Sequence, residues 1–260
     1  MKKILILIII FIGILALQLN ADEFIKVKII NLEGDVIIEQ SGLSKKAVVG
    51  DILKQGDKIK TGSKSICDLE FGDNTYTRIG ELSNAEINEA LLKDKRFLFL
   101  KKQDKQINLK LNKGIALTRL KKMDTGEEYK ISTPTAVAGV RGTIFTTNVT
   151  NVGTNINVFQ GMVSVTNLTN NTVTNVSAGQ SVSISSEVSS GKSEVSAIST
   201  TELSAVKEAV GSAIIEAVSS VPVITPEIKS VIETITNTVQ PGIIPIKPPS
   251  GASVIINFSN

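Results

Sequence analysis

Residues 129–145 read YKISTPTAVAGVRGTIF, and this stretch decides the fold. It opens with the alternation typical of a β-strand, and Pro134 then removes a backbone donor and fixes φ, so the strand must end or bend there. Small residues follow, among them Gly139 and Gly142, and they allow two backbones to approach closely around Arg141. Because a buried unpaired guanidinium is costly, the pattern predicts that carbonyls or a carboxylate clamp Arg141; an anion-binding Arg141 is the alternative.

Two shorter segments repeat this pattern of short alternating runs around a glycine. They are residues 158–165 (VFQGMVSV) and residues 178–184 (AGQSVSI). Comparable runs recur along the chain, separated by Gly, Asn, Asp and Lys. Many short strands bounded by turn signals favour a sandwich, a closed sheet or a wound solenoid. The Gly-x-Val units that begin at Gly34 and Gly161 are expected to form corners.

The order of these motifs resembles the FecR domain family. The opening strand near Gly34, the segment GDKIKTG at 56–62, the stretch 129–145 and the closing AGQ at 178–180 match the family pattern in sequence, over about residues 27–185. The resemblance implies a mainly β, extracytoplasmic module, built as a solenoid-like β-sandwich with parallel and antiparallel pairings. It also implies a set of structural motif residues: Gly56, Asp57, Gly62, Thr133, Pro134, Thr135, Arg141, Gly142 and Thr143.

The N-terminus is typical of an export signal. Lys2 and Lys3 precede an apolar run over residues 4–17, and Ala21 stands before the charged Asp22. These features predict a signal peptide over residues 1–21, cleaved after Ala21, and an exported protein in the periplasm or at the cell surface. An uncleaved anchor is the alternative, although the run is shorter than the roughly 20 residues that span a bilayer.

The position of this signal separates the chain from the family's regulatory members. Those members carry an intracellular anti-sigma segment and a membrane span before the domain, whereas here the β-domain is expected over residues 22–185, directly after the signal. The resemblance therefore implies an exported binding or scaffolding module of the cell envelope. An extracytoplasmic signal-sensing component, related to FecR-type transmembrane regulators, is the alternative.

Composition argues against most catalytic chemistry. The chain has no histidine, which excludes a Ser-His-Asp arrangement and a histidine zinc site, so we predict no enzyme, no catalytic residue, no metal and no cofactor. A carbohydrate-acting hydrolase that uses carboxylates alone is a second alternative. Cys67 alternates with polar neighbours in a strand pattern and is expected to be a buried small hydrophobe.

Charge is concentrated in one segment. The net charge of +3 falls to +1 without Lys2 and Lys3, so no nucleic-acid partner is expected. Basic residues accumulate over residues 93–122, where they suit solvated strand edges that discourage aggregation. The sharper hypothesis is a polyanion patch that contains Lys101, Lys102, Lys105 and Lys110, with an envelope protein or polysaccharide as the partner.

Composition changes after Ile184. Residues 186–199 are predicted to be a flexible linker, and residues 200–240 two amphipathic helices, the first capped by Ser199 with Glu202 and striped by Leu203 and Val206. These helices are expected to dock on the β-domain or on each other, or to bind a partner or membrane. Residues 241–260 form a proline-rich, extended tail that could add an edge strand.

Overall fold

The computed structural model describes residues 23–72, 75–97, 100–187 and 193–210. This part of the chain is mainly β, which confirms the predicted fold class. The strands are β1 (Glu23–Phe24), β2 (Val27–Glu33), β3 (Val36–Gln40), β4 (Leu43–Lys46), β5 (Ile52–Leu53), β6 (Lys58–Thr61), β7 (Ile66–Phe71), β8 (Thr75–Ile79), β9 (Asn84–Phe97), β10 (Leu100–Leu120), β11 (Glu128–Ser132), β12 (Ala136–Val140), β13 (Ile144–Thr150), β14 (Gly153–Gln160), β15 (Met162–Asn167), β16 (Val173–Ser177), β17 (Gln180–Ser185) and β18 (Ser193–Ala197); helix α1 is Thr200–Val210.

The strands form two sheets that share β10. The first sheet runs β4-β3-β6-β9-β10-β11-β12-β15-β16, with β1 also paired to β9. The second runs β5-β2-β7-β8-β10-β13-β14-β17-β18. These pairings are antiparallel except that of β10 with β11, which is parallel, so both predicted kinds of pairing occur.

Glycines mark places where the chain passes from one sheet to the other. Strand β10 crosses between the sheets at Gly114, which has a φ of 91° and whose Cβ, if it had one, would collide with Ser83. Gly34 (φ 72°) joins β2 to β3 and Gly161 (φ 80°) joins β14 to β15, in each case from the second sheet to the first. The two Gly-x-Val units therefore lie at corners, as predicted.

The core lies between the sheets and contains a polar link at Tyr129. Tyr129 on β11 is fully buried, and its hydroxyl lies 2.7 Å from the Thr77 hydroxyl on β8 of the other sheet. Its ring meets that of Phe71 edge to face, with centroids 5.9 Å apart. Burial raises the pKa of Tyr129 to about 12, and it raises the pKa of the buried Cys67 thiol to about 12 as well. Cys67 therefore lies in the core as expected.

The segment after β17 departs from the predicted linker. Ser193–Ala197 forms β18, which pairs with β17 from Gln180↔Ala197 to Ile184↔Ser193. The reason is that the open edge of β17 offers unpaired backbone groups, which a Ser-rich but alternating segment can satisfy. The β-structure thus extends beyond residue 185.

Helix α1 begins with the predicted capping box. The Ser199 hydroxyl accepts the Glu202 backbone N–H at 3.2 Å, and the Glu202 carboxylate accepts the Ser199 N–H at 2.8 Å. Leu203 and Val206 are buried, and the helix packs against β10, so this helix docks on the β-domain. Within the described residues no helix has the length and apolarity needed to cross a bilayer. The predicted signal segment, second helix and tail lie outside those residues.

Candidate binding site

The Thr133-Pro134-Thr135 motif forms the turn between β11 and β12. The Thr133 hydroxyl accepts the Ala136 N–H at 2.9 Å, and the Thr133 N–H is donated to the Ala136 carbonyl at 2.8 Å. Both threonine hydroxyls also reach the Thr154 hydroxyl on β14, at 2.9 Å from Thr133 and 2.7 Å from Thr135. The motif therefore ties a turn of the first sheet to a strand of the second, which is a structural role.

The segment 56–62 is also built for structure. The Asp57 carboxylate, 6% exposed, accepts the Lys54 N–H at 2.8 Å and the Gln40 side-chain amide at 2.7 Å. Gly56 has a φ of 88° and donates its N–H to a carbonyl of β9. The Gly62 N–H is donated to the Asp35 carbonyl at 2.9 Å, which closes the corner opened by Gly34. These residues therefore lock turns, which is a structural role.

Gly142 and Gly161 form the corner that follows β12. A Cβ on Gly142 would lie 2.9 Å from Lys122 Cα, and one on Gly161 would lie 2.8 Å from the Gly142 carbonyl oxygen. Thr143 is buried beside them, and its carbonyl accepts the Leu120 N–H at 2.9 Å. The close backbone approach that the sequence predicted is therefore present at this corner.

The predicted clamp around Arg141 is wrong. Arg141 is exposed, and within the described ranges no hydrogen bond or ion pair to its guanidinium is present. The reason is strand alternation, because Ala136, Ala138 and Val140 point into the core of the sandwich while Val137, Gly139 and Arg141 face outward. The alanines serve the packing between the sheets, and the guanidinium stands on the opposite face of the same strand.

A shallow depression of about 470 Å³ lies beside Arg141 on the outer face of the first sheet. Gly139 forms its floor. If Gly139 carried a Cβ, the nearest atom to it would be the Ser164 carbonyl oxygen, at 3.9 Å. Its lining comes from β11, β12 and β15: Glu128, Lys130, Val137, Gly139, Val140, Arg141, Met162, Ser164 and Thr166.

Three charged side chains line this depression, and two of them pair with each other. Lys130 Nζ lies 2.9 Å from the Glu128 carboxylate, so these two side chains pair with each other. The register that sets Tyr129 against Val140 and Val140 against Val163 places Glu128 and Met162 on either side of Arg141. Met162 is 53% exposed and gives the depression an apolar wall. The site thus combines a guanidinium, an apolar wall and an open floor.

A second depression, of about 400 Å³, lies where β13 and β14 meet the end of β17. Its walls carry uncharged polar side chains such as Asn148, Thr150 and Ser183. It is also lined by Glu187, which follows β17, and by Glu194 on β18. Among the described residues no group of three or more His, Cys, Asp or Glu side chains is arranged to hold a metal ion.

The four lysines of the predicted polyanion patch do not share one described surface. Lys105 is half-buried on the face of β10 that also carries the core residue Ile107, whereas Lys110 is exposed on the opposite face. The backbones of Lys101 and Lys102 pair with the facing strand β9, but their side chains lie outside the described part of the chain. The patch therefore stays a hypothesis for Lys101 and Lys102, and Lys105 and Lys110 face apart.

Several lining residues of the Gly139 depression were missed by sequence reasoning. Lys130, Met162, Ser164 and Thr166 join the site through cross-strand register, which one strand's pattern does not reveal. The alternation of Val137, Gly139 and Arg141 was a usable signal, because it already places these three residues on one face.

Comparison with known proteins supports the resemblance that the motif order indicated. Residues 57–164 match the family model "FecR protein", which confirms the predicted similarity to FecR domains, although the matched range is shorter than residues 27–185. Two crystal structures of a candidate anti-sigma factor from Parabacteroides distasonis ATCC 8503, at 2.50 Å and 1.65 Å resolution, are similar, with TM-scores of 0.44 and 0.43 and 13% identity. Each match covers 57% of this chain and 62% or 63% of the other. No curated protein matches the chain.

Proposed function

We propose that this chain is an exported, non-enzymatic sensing domain of the FecR type, which recognises a ligand or partner outside the cytoplasm. The match of residues 57–164 to the FecR family model carries the proposal. The site geometry is compatible with it, since the depression beside Arg141 offers a cation, an apolar wall and hydroxyl groups for recognition. The sequence pattern of residues 1–21, which predicts an export signal, supports the proposed location in the periplasm or at the cell surface.

A sensing domain must also contact a second component, and the two faces of the sandwich provide separate surfaces for this. The first sheet presents the Arg141 depression, and the second carries helix α1. Strand β10 belongs to both sheets and therefore connects them directly. The proposed partner is an envelope protein or polysaccharide.

The experiment is controlled depletion of the protein, with transcripts measured before any growth defect develops. A sensing role predicts that a small set of genes changes expression and that re-expression of the chain restores it. An unchanged transcript profile, together with altered envelope composition, would contradict sensing and favour a static scaffold. Cell fractionation with N-terminal peptide mapping gives the location, where a mature chain that begins at Asp22 is expected.

The scaffold role is the second candidate function. The uncharged outer strand β16, with its exposed Val173 at the edge of the first sheet, favours it, because an open strand edge can pair with another extended chain. Crosslinking in intact envelopes separates the candidates, since a scaffold should be recovered with a partner in fixed proportion whether or not a signal is present.

A further inference from the structure

We infer that the depression around Gly139 binds small oxyanions that carry a short aliphatic body, with Arg141 as their anchor. This inference deepens the proposed sensing role by naming the class of ligand. It rests on the placement of Arg141, on the charges around it and on the shape and chemistry of the depression.

The position of Arg141 is fixed by backbone on both sides. It follows β12 directly and precedes Gly142, whose close contact with the Lys122 backbone leaves the corner little freedom. Its side chain stands on the outer face, away from the core. Because no described group engages its guanidinium, the planar fork can bind a carboxylate or a phosphate in a bidentate way.

The surrounding charges leave Arg141 available. Its acidic neighbour across the strands, Glu128, is engaged by Lys130 at 2.9 Å. The loop that packs against Gly142 carries Lys121 and Lys122 together with Asp124 and Glu127, so its own charges balance. The charge left for an anion at this depression is therefore that of Arg141 itself.

The wall and the floor determine the rest of the ligand. Met162 is an adaptable apolar side chain beside Arg141, and Val137 lies on the same face beyond Gly139, so an aliphatic chain anchored at Arg141 finds apolar contact along the depression. No aromatic ring is present among the lining residues, so the stacking surface that sugars commonly use is missing from this depression. Gly139 leaves the floor open between them. A volume of about 470 Å³ is within the range of small-molecule sites.

The test uses hexanoate as the probe, with hexylammonium as a probe of the same body and opposite charge. Amide NMR shifts of the purified chain are expected to move saturably at Gly139 and Ser164 with hexanoate and not with hexylammonium. Arg141→Gln should weaken hexanoate binding about tenfold or more, since a charge-assisted hydrogen bond is lost. Equal binding of both probes, no saturable shift at these amides, or unchanged affinity in Arg141→Gln would overturn the inference.

Two further variants keep the test independent of folding. Gly139→Val fills the floor, and since the nearest atom to the new Cβ is 3.9 Å away, the chain should unfold at the wild-type temperature while losing hexanoate binding. Lys60→Gln removes an exposed lysine of the first sheet outside the depression and should bind hexanoate normally. Retained hexanoate affinity in Gly139→Val would reject the depression as the site.

Competition by inorganic phosphate separates the sources of the oxyanion. Displacement of hexanoate by phosphate supports an anchor for oxyanions in general, and failure to displace it supports carboxylates. Phosphate binding without hexanoate binding would overturn the aliphatic part of the inference. Binding without a transcript response in the depletion experiment would remove the sensing role alone, whereas a response without binding would remove this inference alone.

Discussion

The two halves of the described domain hold their outer faces together with different chemistry. Up to Arg141 the strands are joined by ion pairs, such as Arg78 with Asp68 at 2.6 Å and Lys58 with Glu39 at 3.1 Å. From Gly142 to Ser186 the sequence contains no charged residue. There the corresponding contacts are made by hydroxyl and amide groups, including the Asn155 side-chain amide to the Ser183 hydroxyl at 2.9 Å.

Because of this difference, salt should weaken the contacts of the first half and leave those of the second unchanged. Ion pairs that are partly exposed weaken as salt screens them, whereas hydrogen bonds between uncharged groups are insensitive to ionic strength. Strand β10 of the first half pairs with β13 of the second, and one core serves both halves, so a change in either half should affect the unfolding of the whole domain. Four predictions use this contrast.

The largest effect is expected at the corner that opens β15. In Gly161→Ala the new Cβ would have the unfavourable φ of 80° and would also lie 2.8 Å from the Gly142 carbonyl oxygen, so the free energy of unfolding should fall by about 3 kcal/mol or more. Chemical denaturation measures it. Gly42→Ala is the matched control in the charged half, because Gly42 has a φ of 81° with no atom within 4 Å.

The control separates the strain of the left-handed backbone from the collision between the new Cβ and the Gly142 carbonyl oxygen. Gly42→Ala should cost about 1 kcal/mol, the price of the left-handed conformation alone. Equal losses in the two variants would mean that the corner is not close-packed.

The next effect concerns the uncharged half. Thr154→Val removes the hydroxyl that the Thr133 and Thr135 hydroxyls both contact, so each of them loses a hydrogen-bond partner. The free energy of unfolding should therefore fall by about 1–3 kcal/mol. The loss should be the same at low salt and at about 1 M NaCl, because no charge is involved. Labelling of the buried Cys67 by a thiol reagent, measured against denaturant, reports it from the opposite half; a wild-type labelling profile would show that the halves open separately.

A smaller, salt-dependent effect is expected in the charged half. Asp68→Asn breaks the pair with Arg78, whose guanidinium donates two hydrogen bonds to the Asp68 carboxylate at 2.6 Å and 2.7 Å. Both side chains are partly exposed, so the loss should be about 1–2 kcal/mol and should shrink at high salt. A salt-independent loss would remove the proposed contrast between the halves.

Much of this architecture was predictable from local pattern. The alternation of β7, the corner at Gly161 and the capping box of Ser199 and Glu202 each follow from rules that act over a few residues. The orientation of Arg141 was mispredicted because the small residues around it were assigned to its own environment. Alternation instead places the alanines on the buried face and the arginine on the other.

The remainder depends on contacts that are distant in sequence. The depression beside Arg141 needs the register of β11, β12 and β15, and β18 needs the open edge of β17. Register between strands is fixed by the core as a whole, so no single segment encodes it. The facing directions of Lys105 and Lys110 illustrate the same point within one strand, since a run of lysines is not a surface until the alternation of the strand is applied.

The last and smallest effect concerns two carboxylates: Asp51, which has a charged partner, and Glu202, whose partners are uncharged. Burial alone would raise the pKa of Asp51, but hydrogen bonds from Lys45 and the Val48 N–H and the Lys45 charge lower it on balance. Burial would likewise raise the pKa of Glu202, but hydrogen bonds from the Ser199 N–H and from the Ser199, Ser181 and Asn155 side chains lower it. Both pKa values lie below the ordinary ones, so each carboxylate stabilises the fold above its unfolded pKa and ceases to do so as pH falls through its folded pKa.

Salt should distinguish these two groups. At about 1 M NaCl the pKa of Asp51 is expected to rise toward its ordinary value of 3.8, because the Lys45 charge is screened, while the pKa of Glu202 should stay below 4.5, because its partners are uncharged. Carboxyl NMR titrations at low and high salt measure both. In the wild type, part of the hydrogen-exchange protection of the α1 amides should be lost as the pH falls below about 4.5. Glu202→Gln should lack that part of the protection at every pH, and Asp51→Asn should keep it. Equal salt shifts of the two pKa values would show that the charged and uncharged halves do not differ in the way their geometry indicates.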